Sequence, residues 1–289
     1  MKINKTSRTA QYMALFRALE TNRRADDRLF TDPFAINFLN GGLALMTKAS
    51  KIPFLRKLIS TIIQRRIPGA FSSGLARTKY IDDLLQKTIH DGVQQVMILG
   101  AGFDTRGLRL DFLKSIPVIE IDHPNTSNFK METFKNRIGA LPKNIIYHQI
   151  DFNKQSLDEL AEQSNFDFTK PATVIWEGVT NYLTTGAIDK TFSFIARFPK
   201  SSYVIFTYVH QNVLTNPGSF LGGEKLLDDL EKIEERWTFG FLPDELSDYL
   251  KKFDLTLLED LGATEYRNNY LPNRSEKGYE FYRVALAKK

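Results

Sequence analysis

The stretch Val96-Met97-Ile98-Leu99-Gly100-Ala101-Gly102-Phe103-Asp104-Thr105 passes from an unbroken apolar run straight into a glycine turn. A short run that is apolar at every position suits a strand covered on both faces, as in a parallel sheet between helices. The two glycines let the backbone turn sharply and approach a ligand closely, and a helix starting at Thr105 would offer free amides to a negative group. Twenty residues past Gly102, a second apolar run ends in Glu120-Ile121-Asp122. A carboxylate there can accept hydrogen bonds from the two hydroxyls of a ribose. Turn and acid together imply a cofactor of nucleotide type.

Outward from this unit, short apolar runs alternate with amphipathic stretches. Strands are predicted at 93–100, 117–122, 144–151, 172–179, 202–209, 254–261 and 279–287, and helices at 125–138, 153–163 and 185–198. This alternation predicts an α/β fold, a Rossmann-like sheet of seven strands with helices on both faces. The segment between Gly262 and Gly278 lacks an apolar helical stripe, so the last two strands are predicted to form an antiparallel pair. Residues 1–91 read as an N-terminal helical cap, and residues 92–289 as the core. The core carries a lid insertion near 211–240, where Pro217, Gly218, Gly222 and Gly223 break the pattern. The cap closes with Ala76 to Asp91, in which Tyr80, Ile81, Leu84, Leu85 and Ile89 share one helical face.

Composition excludes several chemistries. The 289 residues contain no cysteine, which removes disulfides, thiolate metal sites and cysteine nucleophiles. The four histidines, His90, His123, His148 and His210, have no close metal-ligand spacing, so no metal is expected. No run of about 18 apolar residues could span a bilayer. No secretory segment opens the chain, which reads as cytoplasmic. A net charge of +5 is a weak argument for an anionic partner. The stretch 41–70 stands apart: it holds Lys48, Lys51, Arg56, Lys57, Arg65 and Arg66 and no acid. Its plain reading is an amphipathic cap helix with a solvated basic face. The alternative is that Ile52, Phe54, Leu55, Leu58, Ile62 and Ile63 cover an apolar substrate, or make weak contact with a membrane surface.

Glycine turn and acid do not separate nicotinamide dinucleotides from S-adenosylmethionine. The third glycine of the dinucleotide motif is Thr105 here, and no Tyr-x-x-x-Lys pair of a short-chain reductase occurs. An NAD(P)-dependent oxidoreductase is thereby disfavoured. A nucleic-acid methyltransferase is disfavoured too, because Trp176-Glu177-Gly178-Val179 lacks the Pro-Pro-aromatic motif that holds a base amine, and no nucleic acid is expected as partner. A cofactor-binding protein without turnover stays open.

Taken together, the motifs resemble the leucine carboxyl methyltransferase family, with its bacterial S-adenosylmethionine-dependent and polyketide-type O-methyltransferases. The resemblance covers nearly the whole chain. It rests on Arg17-Ala18-Leu19-Glu20, Thr31-Asp32-Pro33-Phe34-Ala35, Ala76-Arg77-Thr78 with Asp82, Leu99 to Arg106, Glu120 to Pro124, Asp151-Phe152 and Glu177-Gly178-Val179 with Tyr182-Leu183-Thr184. It implies a class I methyltransferase fold with S-adenosylmethionine as cofactor and S-adenosylhomocysteine as product. It further implies that Arg77 pairs with the methionine carboxylate and that Gly100, Ala101 and Gly102 line the methionine portion. Asp122 would hold the ribose, Asp151 and Phe152 the adenine, and Glu177 the amino group. Eukaryotic members of the family carry an N-terminal lysine that reaches the cofactor; the comparable stretch here is Ser7-Arg8-Thr9-Ala10, a departure.

Transfer of a methyl from a sulfonium is an in-line displacement that needs positioning more than a covalent intermediate. The expected acceptor is a carboxylate or hydroxyl of a small molecule or peptide. A carboxylate needs no general base at neutral pH, whereas a hydroxyl profits from one. Tyr182, after the fourth strand, and His210, ending the fifth, are the catalytic candidates. His123 is better explained by turn geometry, and His90 and His148 by structure.

Overall fold

The apolar run becomes the central strand β1, Gln95–Leu99, with every residue buried. The computed structural model describes residues 7–151, 155–163 and 166–289. The other strands are β2 (Val118–Asp122), β3 (Ile145–Gln149), β4 (Ala172–Trp176), β5 (Tyr203–Val209), β6 (Thr256–Gly262) and β7 (Tyr282–Lys288). They form one sheet in the order β3-β2-β1-β4-β5-β7-β6. The first five are parallel, and β7 runs antiparallel between β5 and β6, so the terminal pair and the seven-stranded class I methyltransferase order are as expected.

Alternation along the strands divides the core into two layers. Met97 and Leu99 join Val174, Trp176 and Phe206 beneath Phe192, Leu246 and Leu250, residues of α8 (Thr185–Ile195) and α11 (Pro243–Lys251). Val96 and Ile98 face the other way, with Ile175, Ile205 and Val284, against Ile81 and Leu85 of α4 (Ala70–His90). The long helix at the end of the N-terminal region is thus a structural layer of the sheet.

That face holds a correction. The segment after Gly262 was read as lacking a helix, yet α12, Ala263–Tyr270, packs along α4 and β6. Its buried side is only Ala263, Tyr266 and Arg267. With two turns, and an arginine donating to the Gly278 carbonyl at 2.9 Å, no apolar stripe can register in the sequence.

Ahead of α4 lie α1 (Arg8–Thr21), α2 (Gly41–Ala49) and α3 (Pro53–Arg66). The Ser7 side chain accepts from the Ala10 amide and caps α1. Helix α3 departs from the plain reading of a buried apolar face under a basic one: Ile59 is buried, but Phe54, Leu58 and Ile62 turn outward beside Lys57 and Arg65. The remaining helices are α5 (Arg106–Arg109), α6 (Pro124–Ile138), α7 (Leu157–Gln163), α9 (Asn212–Thr215) and α10 (Gly223–Lys232). The order of strands reverses between β1 and β4, and such a switch point opens a crevice at the carboxyl ends of the strands.

Candidate active site

A cavity of about 300 Å3 occupies that crevice. Its floor is the loop after β1. Gly100 has φ +64° and Gly102 φ +48°, both in the left-handed region. A Cβ on Gly100 would come within 2.3 Å of Val179 Cγ2, so packing of the loop after β4 demands glycine there as well. The Gly100 amide donates to the Ile121 carbonyl at 2.8 Å, and the Gly102 amide donates to Asp122 Oδ2, which ties the turn to the end of β2. Asp122 Oδ1 accepts from the His123 amide at 2.6 Å. Burial raises the Asp122 pKa, offset in part by these amides and by the Lys130 charge. Such a carboxylate favours further donors, and ribose hydroxyls supply them.

The helix expected to follow the glycine turn is a single turn, α5. Its Arg106 amide already donates to Asp104 Oδ1 at 2.7 Å, so charge in this site comes from side chains. Arg77, on α4, donates from Nε to Glu177 Oε1 at 2.9 Å, with its guanidinium 4.5 Å from the ring centre of Tyr282. Arg106 lies 2.9 Å from Glu177 Oε2, donates to Asp82 Oδ1 at 2.8 Å and pairs with Asp104. Burial alone would raise the pKa of Glu177 and Asp104, but the arginines outweigh it. Glu177 is held below the ordinary range by Arg106 and Arg77, and Asp104 is lowered to about 2, chiefly by Arg106. Behind them Arg17 donates to Asp32 Oδ2 at 2.8 Å and to the Phe103 carbonyl at 2.6 Å, and Thr105 Oγ1 donates to the same Asp32 oxygen at 2.7 Å.

A pH dependence follows. Asp104 titrates near 3.8 when unfolded and near 2 when folded, so its stabilisation is complete above about pH 4 and lost as pH falls toward 2. Thermal unfolding of Asp104→Asn is expected to change less between pH 4 and pH 2 than that of the parent; parallel curves would refute the assignment.

The cavity wall is also aromatic: Tyr182, Trp237, Tyr279 and Tyr282 line it, with Met13 and Asn181. Trp237 comes from the insertion after β5, anchored by the Thr238 amide donating to the Asn181 carbonyl at 2.7 Å. Trp237 Nε1 and Asn181 Oδ1 are buried without a hydrogen bond of ordinary geometry among the described residues, the Trp237 N–H lying beside the Tyr182 oxygen. Burial pushes the Tyr182 phenol up to about 12, which favours its protonated form at neutral pH. Ser7 Oγ and the Arg8 amide donate to Glu235 Oε1 at 3.1 and 3.0 Å, and Thr9 donates to its other oxygen. The N-terminal segment therefore closes over the cavity through Ser7, Thr9 and Ala10, while the Arg8 side chain is not among the lining residues.

The structure brings Arg77, Gly100, Ala101, Gly102, Asp122, Glu177 and Tyr182 to one cavity. His210 is not among its lining residues. Its Nδ1 accepts from the Asn212 amide at 3.2 Å at the start of α9, next to the Phe220 ring. Asp151 follows β3 but does not line the cavity, and its carbonyl accepts from the Gln155 amide at 2.9 Å. Phe152 lies outside the described residues. His123 lines the rim while its Nδ1 accepts from the Asn125 amide at 3.2 Å, the turn role expected of it. Arg106, Trp237, Tyr279, Tyr282 and Met13 were not singled out from the sequence. Arg106 had a signal, since it ends the motif that begins at Leu99; the others belong to segments far apart in the chain.

The cavity residues fit a zwitterionic nucleoside cofactor. The buried arginines Arg77 and Arg106 answer a carboxylate, and the buried carboxylates Glu177, Asp104 and Asp122 answer an ammonium and hydroxyl donors. Residues 10–196 match the family model described as leucine carboxyl methyltransferase. A provisionally named S-adenosyl-L-methionine-dependent methyltransferase of Mycobacterium sp. (strain KMS) is 29% identical over 247 residues, covering 81% of this chain and 75% of the relative. A like-named protein of Mycolicibacterium paratuberculosis is 33% identical over 187 residues, 64% of this chain and 60% of that one. Among solved structures, a protein from Thermobifida fusca, provisionally described as a methyltransferase, is similar with a TM-score of 0.60 at 14% identity, covering 100% of this chain and 96% of that one. A DUF574 family protein from Streptomyces avermitilis gives 0.61 at 11%, with 99% and 98% covered. On the family match across more than half its length, the chain belongs to the leucine carboxyl methyltransferase family.

Proposed function

We propose that this chain is an S-adenosylmethionine-dependent methyltransferase that methylates an oxygen, a carboxylate or hydroxyl, of a small molecule or peptide. The observation that carries this reading is one cavity in which the ion-paired Arg77, Arg106 and Glu177 meet a cluster of aromatic side chains. When bound, the cofactor supplies an electrophilic methyl on a sulfonium. Arg77 and Glu177 are suited to its carboxylate and ammonium, and Asp122 to its ribose. The aromatic side chains exclude water and orient the acceptor. The Trp237 N–H, beside the Tyr182 oxygen, offers a hydrogen bond to the acceptor oxygen. With Tyr182 protonated, an acceptor already ionised has the easier path.

Calorimetric titration with S-adenosylhomocysteine and, separately, with NAD tests the reading. Binding of the first and not the second is expected, and no binding of S-adenosylhomocysteine at millimolar concentration would overturn it. A methyl-release assay over a panel of acids and alcohols then finds the acceptor, because an ester product is base-labile and an ether is not. Trp237→Phe keeps the ring and removes the N–H. It is expected to raise the acceptor KM by about tenfold, the worth of one hydrogen bond, and to leave S-adenosylhomocysteine affinity unchanged. An unchanged KM would remove Trp237 from the acceptor site.

A further inference from the structure

The two helices α2 and α3 present to solvent what a globular protein ordinarily hides. Five of the ten exposed large apolar side chains among the described residues fall between positions 45 and 62, which makes this a local feature rather than a scatter. Leu45 is 68% exposed, Ile52 56% and Phe54 74%. On α3 the exposed Phe54, Leu58 and Ile62 recur at every fourth residue and therefore share one face. Lys57 and Arg65, three residues beyond Phe54 and Ile62, fall on that face too and are exposed. The inward side of α3 is satisfied separately, by Ile59 in the N-terminal core with Ile63 packed against it. The outward stripe is surplus to the packing of the fold.

Charge decides what can cover it. Between 41 and 70 stand six cations and no acid. A two-fold pairing of this face with itself would set cations against cations with no carboxylate from the same helices to answer them. A surface that is apolar within and negative at its boundary answers both features at once: the side chains enter the acyl boundary and the cations meet headgroup phosphates. We infer that α2 and α3 form a docking surface for an anionic lipid bilayer, with Phe54, Leu58 and Ile62 inserted and Lys51, Lys57 and Arg65 on the headgroups. Along the chain, α3 leads into the wall of the cavity. Lys225 of the insertion donates to the Arg66 carbonyl at 2.8 Å, and Ala70, four residues past α3, lines the cavity.

The test is co-sedimentation of the full chain with vesicles of phosphatidylcholine alone and of phosphatidylcholine mixed with phosphatidylglycerol. The chain is expected to partition onto the mixed vesicles, weakly or not at all onto the neutral ones, and less as salt is raised. Phe54→Ser with Leu58→Ser, and independently Lys57→Glu with Arg65→Glu, should each reduce that partition by about tenfold or more. Both pairs are solvent-exposed, and circular dichroism melting checks that each variant folds as the parent does. No partition onto either vesicle overturns the inference, as does equal partition onto both. Sedimentation velocity supplies the remaining outcome: a dimer that Phe54→Ser with Leu58→Ser converts to monomer would assign the face to a second copy instead.

Discussion

Replacement of Arg106 by alanine is expected to lower the unfolding free energy by about 3–5 kcal/mol, the cost of leaving buried charges without their partner. Arg106 is 3% exposed, and three carboxylates, Asp82, Asp104 and Glu177, converge on it. Arg77 and Arg109 neutralise part of that cluster, Arg109 at 2.7 Å from Asp82. Neither reaches Asp104 among the described ion pairs, so Asp104 keeps only the amide of residue 106 and the more distant Lys130 and Arg17 charges. Arg106→Lys retains one charge but loses the fork that spans Glu177, Asp104 and Asp82 at once, and should fall between parent and alanine variant. Urea denaturation at neutral pH measures both. A loss below about 1 kcal/mol for the alanine variant would show that Asp104 and Glu177 find other partners or take up protons, and that the network is not organised around Arg106.

Asp122→Ala is expected to weaken S-adenosylhomocysteine binding by about 1–3 kcal/mol, or roughly 10- to 100-fold, the loss of charge-assisted hydrogen bonds to the ribose. Asp122 also accepts the Gly102 and His123 amides, so its removal loosens the glycine turn as well. Two readouts separate these effects. A ribose contact predicts that S-adenosylhomocysteine loses affinity while methionine alone does not. A loosened turn weakens both, because Gly100 to Gly102 lie against the methionine end in this reading. Unchanged S-adenosylhomocysteine affinity, measured by calorimetry, would remove Asp122 from the binding residues.

The sheet was legible for a local reason. Strands covered on both faces are predominantly apolar, and β1, β4 and β5 carry that mark in the chain itself, with Gln95, Thr173 and Thr207 as the buried polar exceptions. The glycine turn and Asp122 were legible because the distance between them is set by one crossover and one strand. Helix α12 escaped because its buried side is three residues, one of them an arginine. His210 follows the end of β5, but side-chain direction is a matter of tertiary surroundings, and there its Nδ1 meets the Asn212 amide. Trp237, Tyr279 and Tyr282 reach the cavity from an insertion and from the start of the last strand, and no spacing rule connects them to Gly100.

The sequence by itself determined the strand-turn-strand unit and the family, since each rests on neighbours in the chain or on motifs in order. Tertiary structure alone decided two things. It set Arg77 and Arg106 on either side of Glu177, because ion pairs 71 to 100 residues apart form only when α4, α5 and the loop after β4 meet at the switch point. It also turned Phe54, Leu58 and Ile62 outward, because an amphipathic pattern fixes which residues share a face and leaves the packing partners of the helix to decide which face is covered.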